Sequence, residues 1–347
     1  MSNSWKILIA VLCMLMLLSS CKKEPDTLEP PYRHDASVLL AAKALKYELR
    51  EIIFNVDVAI LKGDNESKLV EDFNDLPDSS FNFQEGKDER ITYEVLNVEY
   101  RDTNAFSTFT TMILIDESAY PENFDSTDFT NYRFQAFNAF YRNLNAQGKV
   151  LFATYNRIGD EHNVLRKINN TFSNQWEEET VLSLLDLTHK QSGTAALYDA
   201  LKEAIEIMDV AEGENKSICL FVRNKDDGKS LNTLDEIIAL AKEKNIKINV
   251  IWLIKDTQNT DLKALRKLSC KTGGFAVYMG KIYQSSTIFM ALPDLLRLRY
   301  NFYRITVKMT IVSSSYFMET FNDGLRVYYF PPRFYIWNYV PYILEKY

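Results

Sequence analysis

The segment Thr111-Met112-Ile113-Leu114-Ile115 is an unbroken run of apolar and β-branched residues that stops abruptly at Asp116-Glu117-Ser118. A run of this kind with no polar alternation reads as a strand buried on both faces, which points to the interior of a parallel sheet. Such a strand delivers whatever follows its carboxyl end to the crevice where open α/β sheets bind their ligands. Asp116 and Ser118 are therefore the first candidates for a site.

Downstream, strand-like and helix-like segments alternate. A helix is expected over residues 131–145, with Phe134, Phe137, Phe140, Tyr141 and Leu144 on one side, more simply a core stripe than a ligand surface. A strand follows at 150–155, a short edge strand at 164–168 and a helix at 174–187. Ser192-Gly193-Thr194 then opens a helix at 195–210, with Leu197, Leu201, Ile205 and Met208 facing inward. Strands at 217–222, 246–254 and 275–279 interleave with helices at 231–244, 261–271 and 285–298. Alternation of this kind predicts an α/β fold with a doubly wound, mostly parallel, Rossmann-like sheet.

The flanks have a different rhythm. Val38, Ala41, Ala42, Leu45 and Leu49 have helical spacing, whereas Phe54, Val56, Val58 and Ile60 alternate as in a half-buried strand. Further alternating segments lie at 91–100 and 303–311, and Asn322-Asp323-Gly324 reads as a hairpin turn before a strand at 325–329. From these, a small antiparallel β-sandwich is expected, built from the N- and C-terminal segments with the α/β part inserted. The resulting division is 1–20 leader, 21–35 tether, 36–105 N-terminal helix and β-segment, 106–300 α/β domain, and 301–347 C-terminal β-segment and aromatic tail. That tail either packs on the sandwich, the simpler reading, or offers an apolar surface to a partner.

Composition and the leader narrow the setting. A net charge of -7 with no clustered basic face argues against nucleic acid as a partner. Lys6, the apolar run 7–18 and Leu18-Ser19-Ser20-Cys21 look like a bacterial lipoprotein signal, which implies cleavage before Cys21 and acylation of that residue. Several acyl chains make a stable anchor, at about 0.8 kcal/mol per buried CH₂. The mature protein is thus expected in the bacterial cell envelope, held to a bilayer through Cys21. The outer membrane is the assignment, although residues 22–26 carry no decisive sorting signal. Cys219 and Cys270 then remain, and two free thiols are favoured over a disulfide.

The order of landmarks resembles a von Willebrand factor type A (vWA) domain over residues 106–300. The strand into Asp116-Glu117-Ser118, the 192–201 turn-helix and the turn Leu268-Ser269-Cys270-Lys271-Thr272-Gly273-Gly274 carry the resemblance. In that family an Asp-x-Ser-x-Ser, a threonine on a neighbouring loop and a later aspartate form a metal-ion-dependent adhesion site (MIDAS), where Mg²⁺ takes a partner's carboxylate. The resemblance assigns Asp116, Ser118, Thr194 and Asn224 as candidate metal ligands. Magnesium favours an octahedron of hard oxygens and keeps several waters, which suits carboxylates and hydroxyls. Two positions depart: Tyr120 stands where the family has its second serine, and uncharged Asn224 where it has an aspartate. A degenerate site is expected, with Asp226 or Asp227 able to approach by a loop shift. Asp199, early in its helix, reads as a favourable charge at the positive end of the dipole.

Three functions remain open. The leading one is a non-enzymatic, membrane-anchored module that binds another protein through the degenerate MIDAS. A scaffold of an envelope complex with no cation-dependent ligand is the alternative. A phosphatase of the haloacid-dehalogenase class needs a second acid where this chain has Ser118. No Gly-x-Ser-x-Gly elbow and no glycine-rich dinucleotide turn is present, so no enzyme is expected.

Overall fold

The structure is a computed structural model and describes residues 36–48, 50–61, 81–83, 91–102, 106, 108–119, 140, 144, 148–159, 164–175, 193–222, 225–226, 228–253, 262–279, 285–298, 301–311, 320–329 and 336–345. The expected helices at 131–145 and 174–187 fall almost wholly outside them, as do the leader, Cys21 and the tether.

The run that opened the argument is β5 (Phe109–Asp116), and all eight of its residues are buried. It lies between β6 (Gly148–Tyr155) and β8 (Lys216–Val222), parallel to both. Beyond β8 come β9 (Lys247–Leu253) and β10 (Ala276–Met279), again parallel. Beyond β6, β7 (Leu165–Lys167) closes the edge antiparallel. Taken in chain order, these six strands stand 3-2-1-4-5-6, the doubly wound order whose switch point lies at the first strand.

Among the described residues, four helices cover this half. The sequence separates them cleanly: α1 (Leu197–Asp209), α2 (Leu234–Glu243), α3 (Leu262–Thr272) and α4 (Ser285–Leu296) each fall where the 3.6-residue rhythm predicts. α1 turns Leu197, Ala200, Leu201, Ala204, Ile205 and Met208 onto Met112 and Leu114, on one face of β5. α4 turns Ile288, Phe289, Leu292 and Leu295 toward Ile113 and Ile115 on the other. Phe221 meets Phe289 edge to face at 5.4 Å, and Phe140 meets Phe152 likewise at 6.1 Å. Cys219 is buried and free, and burial pushes its thiol pKa up. Cys270 is in no disulfide either.

The flanks differ from the expectation in two respects. Residues 36–47 are not a helix but β1 (Ala36–Tyr47), inserted between β10 and β2 (Glu51–Leu61), antiparallel to both. Register shifts at Leu39/Ala41 and at Ala44/Lys46 mark bulges in β1. Leu39, Ala42 and Ala44 share one core face, a phase slip that turns a period of two into an apparent helical spacing. The second difference is the sandwich, which does not form as a separate unit. β11 (Asn301–Ile311) pairs with β2 and with β4 (Ile91–Asp102), so the two terminal segments do adjoin, but through β1 they extend the same sheet. The result is one ten-stranded mixed sheet, β4-β11-β2-β1-β10-β9-β8-β5-β6-β7.

A second sheet, ordered β13-β12-β3, comprises β3 (Phe81–Phe83), β12 (Thr320–Tyr329) and β13 (Ile336–Glu345). Phe81 reaches across from it to the Tyr303 ring at 5.1 Å. The expected turn at Asn322-Asp323-Gly324 is a correction too: Asn322, Asp323 and Gly324 lie inside β12, opposite Ile343, Tyr342 and Pro341. The aromatic tail has a strand partner that a local turn signal could not anticipate. On β2, Asp57 holds a bidentate pair with Arg304 of β11 at 2.8 and 2.7 Å.

Val56, Val58, Ile305 and Val307 of the antiparallel half belong to the same buried cluster as Leu114, Leu201 and Leu220 of the parallel half. Truncation in either half should therefore disturb a single transition. Ile305→Ala and Leu220→Ala should each destabilise by about 2–5 kcal/mol, and urea unfolding followed by both tryptophan emission and circular dichroism should stay one cooperative step.

Candidate functional site

Polar residues gather where the parallel strands end. Asp116 closes β5 and is 1% exposed, and Ser118 two residues on is 2% exposed. The Ser118 amide donates to Asp116 Oδ1 at 2.9 Å and its hydroxyl donates to the same oxygen at 2.5 Å. Glu117, also buried, donates its amide to the Tyr155 carbonyl at the end of β6. The Asp116-Glu117-Ser118 turn is thereby fixed before any partner arrives.

The Thr194 loop lies against this turn. Ala119 N–H donates to the Gly193 carbonyl at 3.1 Å, and Thr194 exchanges two backbone hydrogen bonds of 2.9 Å with Arg157. Gly193 sits at φ 75°, and a Cβ there would stand 2.0 Å from the Arg157 carbonyl oxygen. Glycine is required on both counts: a left-handed backbone and a close approach of two chains. Three of the four ligands expected from sequence, Asp116, Ser118 and Thr194, are thus brought to one rim, with Thr194 exposed at its surface. Asn224 and Tyr120 lie outside the described residues.

The acid expected to move in does something else. Asp226 Oδ1 accepts from the Leu197 amide at 2.9 Å and from the Ser230 hydroxyl, and Oδ2 accepts from the Gly228 amide at 3.2 Å. The Ser230 oxygen accepts in turn from the Tyr198 amide at 3.1 Å. Asp226 and Ser230 together cap α1, whose own N-cap residue, Ala196, has no side chain able to do so. A carboxylate committed to helix amides is held away from a cation site.

Arg157 is the residue that sequence reasoning missed, and Asp199, read there as a charge at the start of its helix, is its partner. The Arg157 guanidinium bonds the Asp199 carboxylate and the Lys229 carbonyl. Asp199 also accepts from the Leu231 amide at 2.9 Å, the Asn232 amide at 3.0 Å and Asn232 Nδ2 at 2.6 Å. Burial alone would raise the Asp199 pKa, but these amides and the guanidinium outweigh it and hold the group below its ordinary value of 3.8. Asp199 is therefore a clamp on the 229–232 loop, more than a charge on a helix dipole. The signal was available in part: Asn156-Arg157 follow the apolar run of β6 just as Asp116-Glu117 follow that of β5.

The donors suit a hard cation in kind but not in number. Asp116 is the one carboxylate that the assigned set supplies, and among the described residues no three His, Cys, Asp or Glu side chains gather. A tight magnesium site asks for more anionic oxygen than this.

No family model matches the sequence, and no curated protein does. Solved structures with related folds include a von Willebrand factor type A protein from Catenulispora acidiphila, at 11% identity and TM-score 0.45, covering 89% of this chain and 72% of that one. The ArnB paralog VWA2 from Sulfolobus acidocaldarius aligns at 10% identity and TM-score 0.40, covering 90% and 76%. Proximal thread matrix protein 1 of the mussel byssus aligns at 11% identity and TM-score 0.41, over 62% of this chain and half of its own length. A structure of the mussel protein has zinc in its MIDAS motif. The 3-2-1-4-5-6 strand order, the antiparallel edge strand and the Gly193-Thr194 rim loop make the fold of the parallel half vWA-like.

Two outcomes follow from this geometry. Gly193→Ala should cost at least about 1–3 kcal/mol from backbone strain and loosen the rim, seen as faster proteolysis around residues 157 and 194. Because the folded pKa of Asp199 is depressed, its contribution should be complete above pH 3.8 and fade as pH falls through the lower folded value. The difference in urea midpoint between wild type and Asp199→Asn should accordingly shrink on going from pH 6 to pH 2.

Proposed function

We propose that this chain is a lipid-anchored protein of a bacterial cell envelope, attached to the outer membrane through acylated Cys21, whose vWA-like domain binds another protein. The binding surface is the rim at the carboxyl ends of β5, β6 and β8. One observation carries this reading: the Ala119 to Gly193 hydrogen bond joins the Thr194 loop to the Asp116–Ser118 turn, so residues 78 positions apart in sequence form one preformed surface. A fixed rim suits recognition, since little ordering entropy is left for the complex to supply.

The site is a degenerate MIDAS. Asp116, Ser118 and Thr194 on the adjoining turns would supply its oxygens, Asn224 brings no charge, and Asp226 is engaged by α1. Binding that does not depend on a divalent cation follows, and no catalytic role is assigned to any residue. The second reading, a scaffold in an envelope complex, is favoured by the single sheet that locks the flanking strands to the vWA-like half.

Magnesium titration by calorimetry should give no micromolar binding to the mature protein, and capture of its partner from envelope extract should be unchanged by EDTA. Micromolar magnesium affinity that disappears in Asp116→Ala would establish a working cation site instead.

A further inference from the structure

The sheet register shows where the chain enters the fold. Ile115 pairs with Phe221, Phe221 with Ile251, Ile251 with Val277, and Val277 with Val38, so these five residues form one row across the sheet. Ile115 precedes Asp116, the last residue of β5. β1 runs antiparallel to β10, so its first residue, Ala36, lies beyond Val38 on the same side as Asp116. The chain therefore enters the fold at the rim. Entry point and rim are four strand spacings apart, about 19 Å at 4.8 Å per spacing.

The tether sets a distance. The fourteen residues 22–35 reach at most about 50 Å, the contour length of that much chain. If Cys21 holds the protein to a bilayer, the chain leaves the sheet toward that bilayer from the rim end, so the tether brings the rim within reach of it more readily than the opposite end. The opposite end lies about 20 Å further away, the length of the 13-residue α1.

The rim also carries exposed apolar groups. Leu231 is 79% exposed and Ile158 is 44% exposed. Both are held in place, because Leu231 N–H and the Arg157 guanidinium bond the same Asp199 carboxylate, and Ile158 follows Arg157 directly. Exposed aliphatic side chains on a rigid, hydrogen-bonded base offer a partner apolar area with little ordering cost left to meet.

We infer that the rim faces the bilayer to which the chain is anchored, and that its partner is a protein embedded in or anchored to that same membrane, packing an apolar side chain on Leu231 and Ile158. The inference rests on the binding and anchoring reading given above and adds the orientation and the class of partner.

A photo-crosslinking amino acid placed at Leu231, or separately at Val210, tests this in intact cells producing the full chain. Val210 is 85% exposed and ends α1 on the far side of the sheet, so it is a control of equal accessibility. The Leu231 probe should capture a protein that stays with the membrane through salt and carbonate washes, at least ten times more efficiently than the Val210 probe. Capture of a protein that washes off would overturn the membrane assignment and leave the binding reading standing. Adducts with lipid alone would overturn the protein partner in favour of the bilayer itself. Capture from Val210 in preference to Leu231 would overturn the orientation, and no capture at either position would overturn both this inference and the binding reading.

Discussion

The complete burial of β5 is the constraint on which the rest depends. Eight consecutive buried residues need their backbone groups paired on both sides, and β6 and β8 supply those partners. They also need apolar cover on both faces, which α1 and α4 provide. Thr110 and Thr111 enter the core with their hydroxyls bonded to the Glu212 and Ser217 carbonyls, but no charged side chain stands in the strand before its last residue, Asp116, so charge collects at its tip. The rim is therefore a by-product of the core: the residues that cannot enter the sheet are the ones left to face a partner.

The protein solves the problem of its flanking strands by continuing the sheet. β1 is the strand that makes this possible, since it pairs with the last parallel strand on one side and with the antiparallel set on the other. Its bulges, at Leu39/Ala41 and Ala44/Lys46, bend the strand and increase its local twist. The buried cluster runs from α1 to β11 without a break, which makes the two halves one body. The Asp57 to Arg304 pair fixes the register of β2 against β11, with a strength that its partial exposure moderates.

The electrostatics of the rim are turned inward. Asp199 is saturated by the Arg157 guanidinium and by the Leu231 and Asn232 amides, and Asp226 by the first turn of α1 and its own loop. A guanidinium and helix amides do for these acids what a metal ion would do elsewhere. Among the described residues, these loops display outward a hydroxyl at Thr194, aliphatic groups at Ile158 and Leu231, and the side chains of Lys225 and Lys229.

Much of this was legible from the residues in order. The alternation of apolar strands with 3.6-period helices located β5, β6, β8, β9 and β10 and all four described helices to within three residues, because each is a local pattern tied to one burial geometry. Glycine at 193 and acids after β5 were visible for the same reason. β1 was not, since its bulges imitate a helical period and only β10 and β2 reveal it as a strand. The fate of Asp226 was not either, because the amides it caps lie 29 residues earlier in the chain.

The sequence by itself determined the elements of the parallel core and the identity of the polar residues at the strand tips, since these follow from the spacing of apolar side chains. Tertiary structure decided which acids are engaged, how the flanking strands join the sheet and at which end the chain enters it. Those depend on hydrogen bonds and registers between segments far apart in sequence, and no local pattern encodes them.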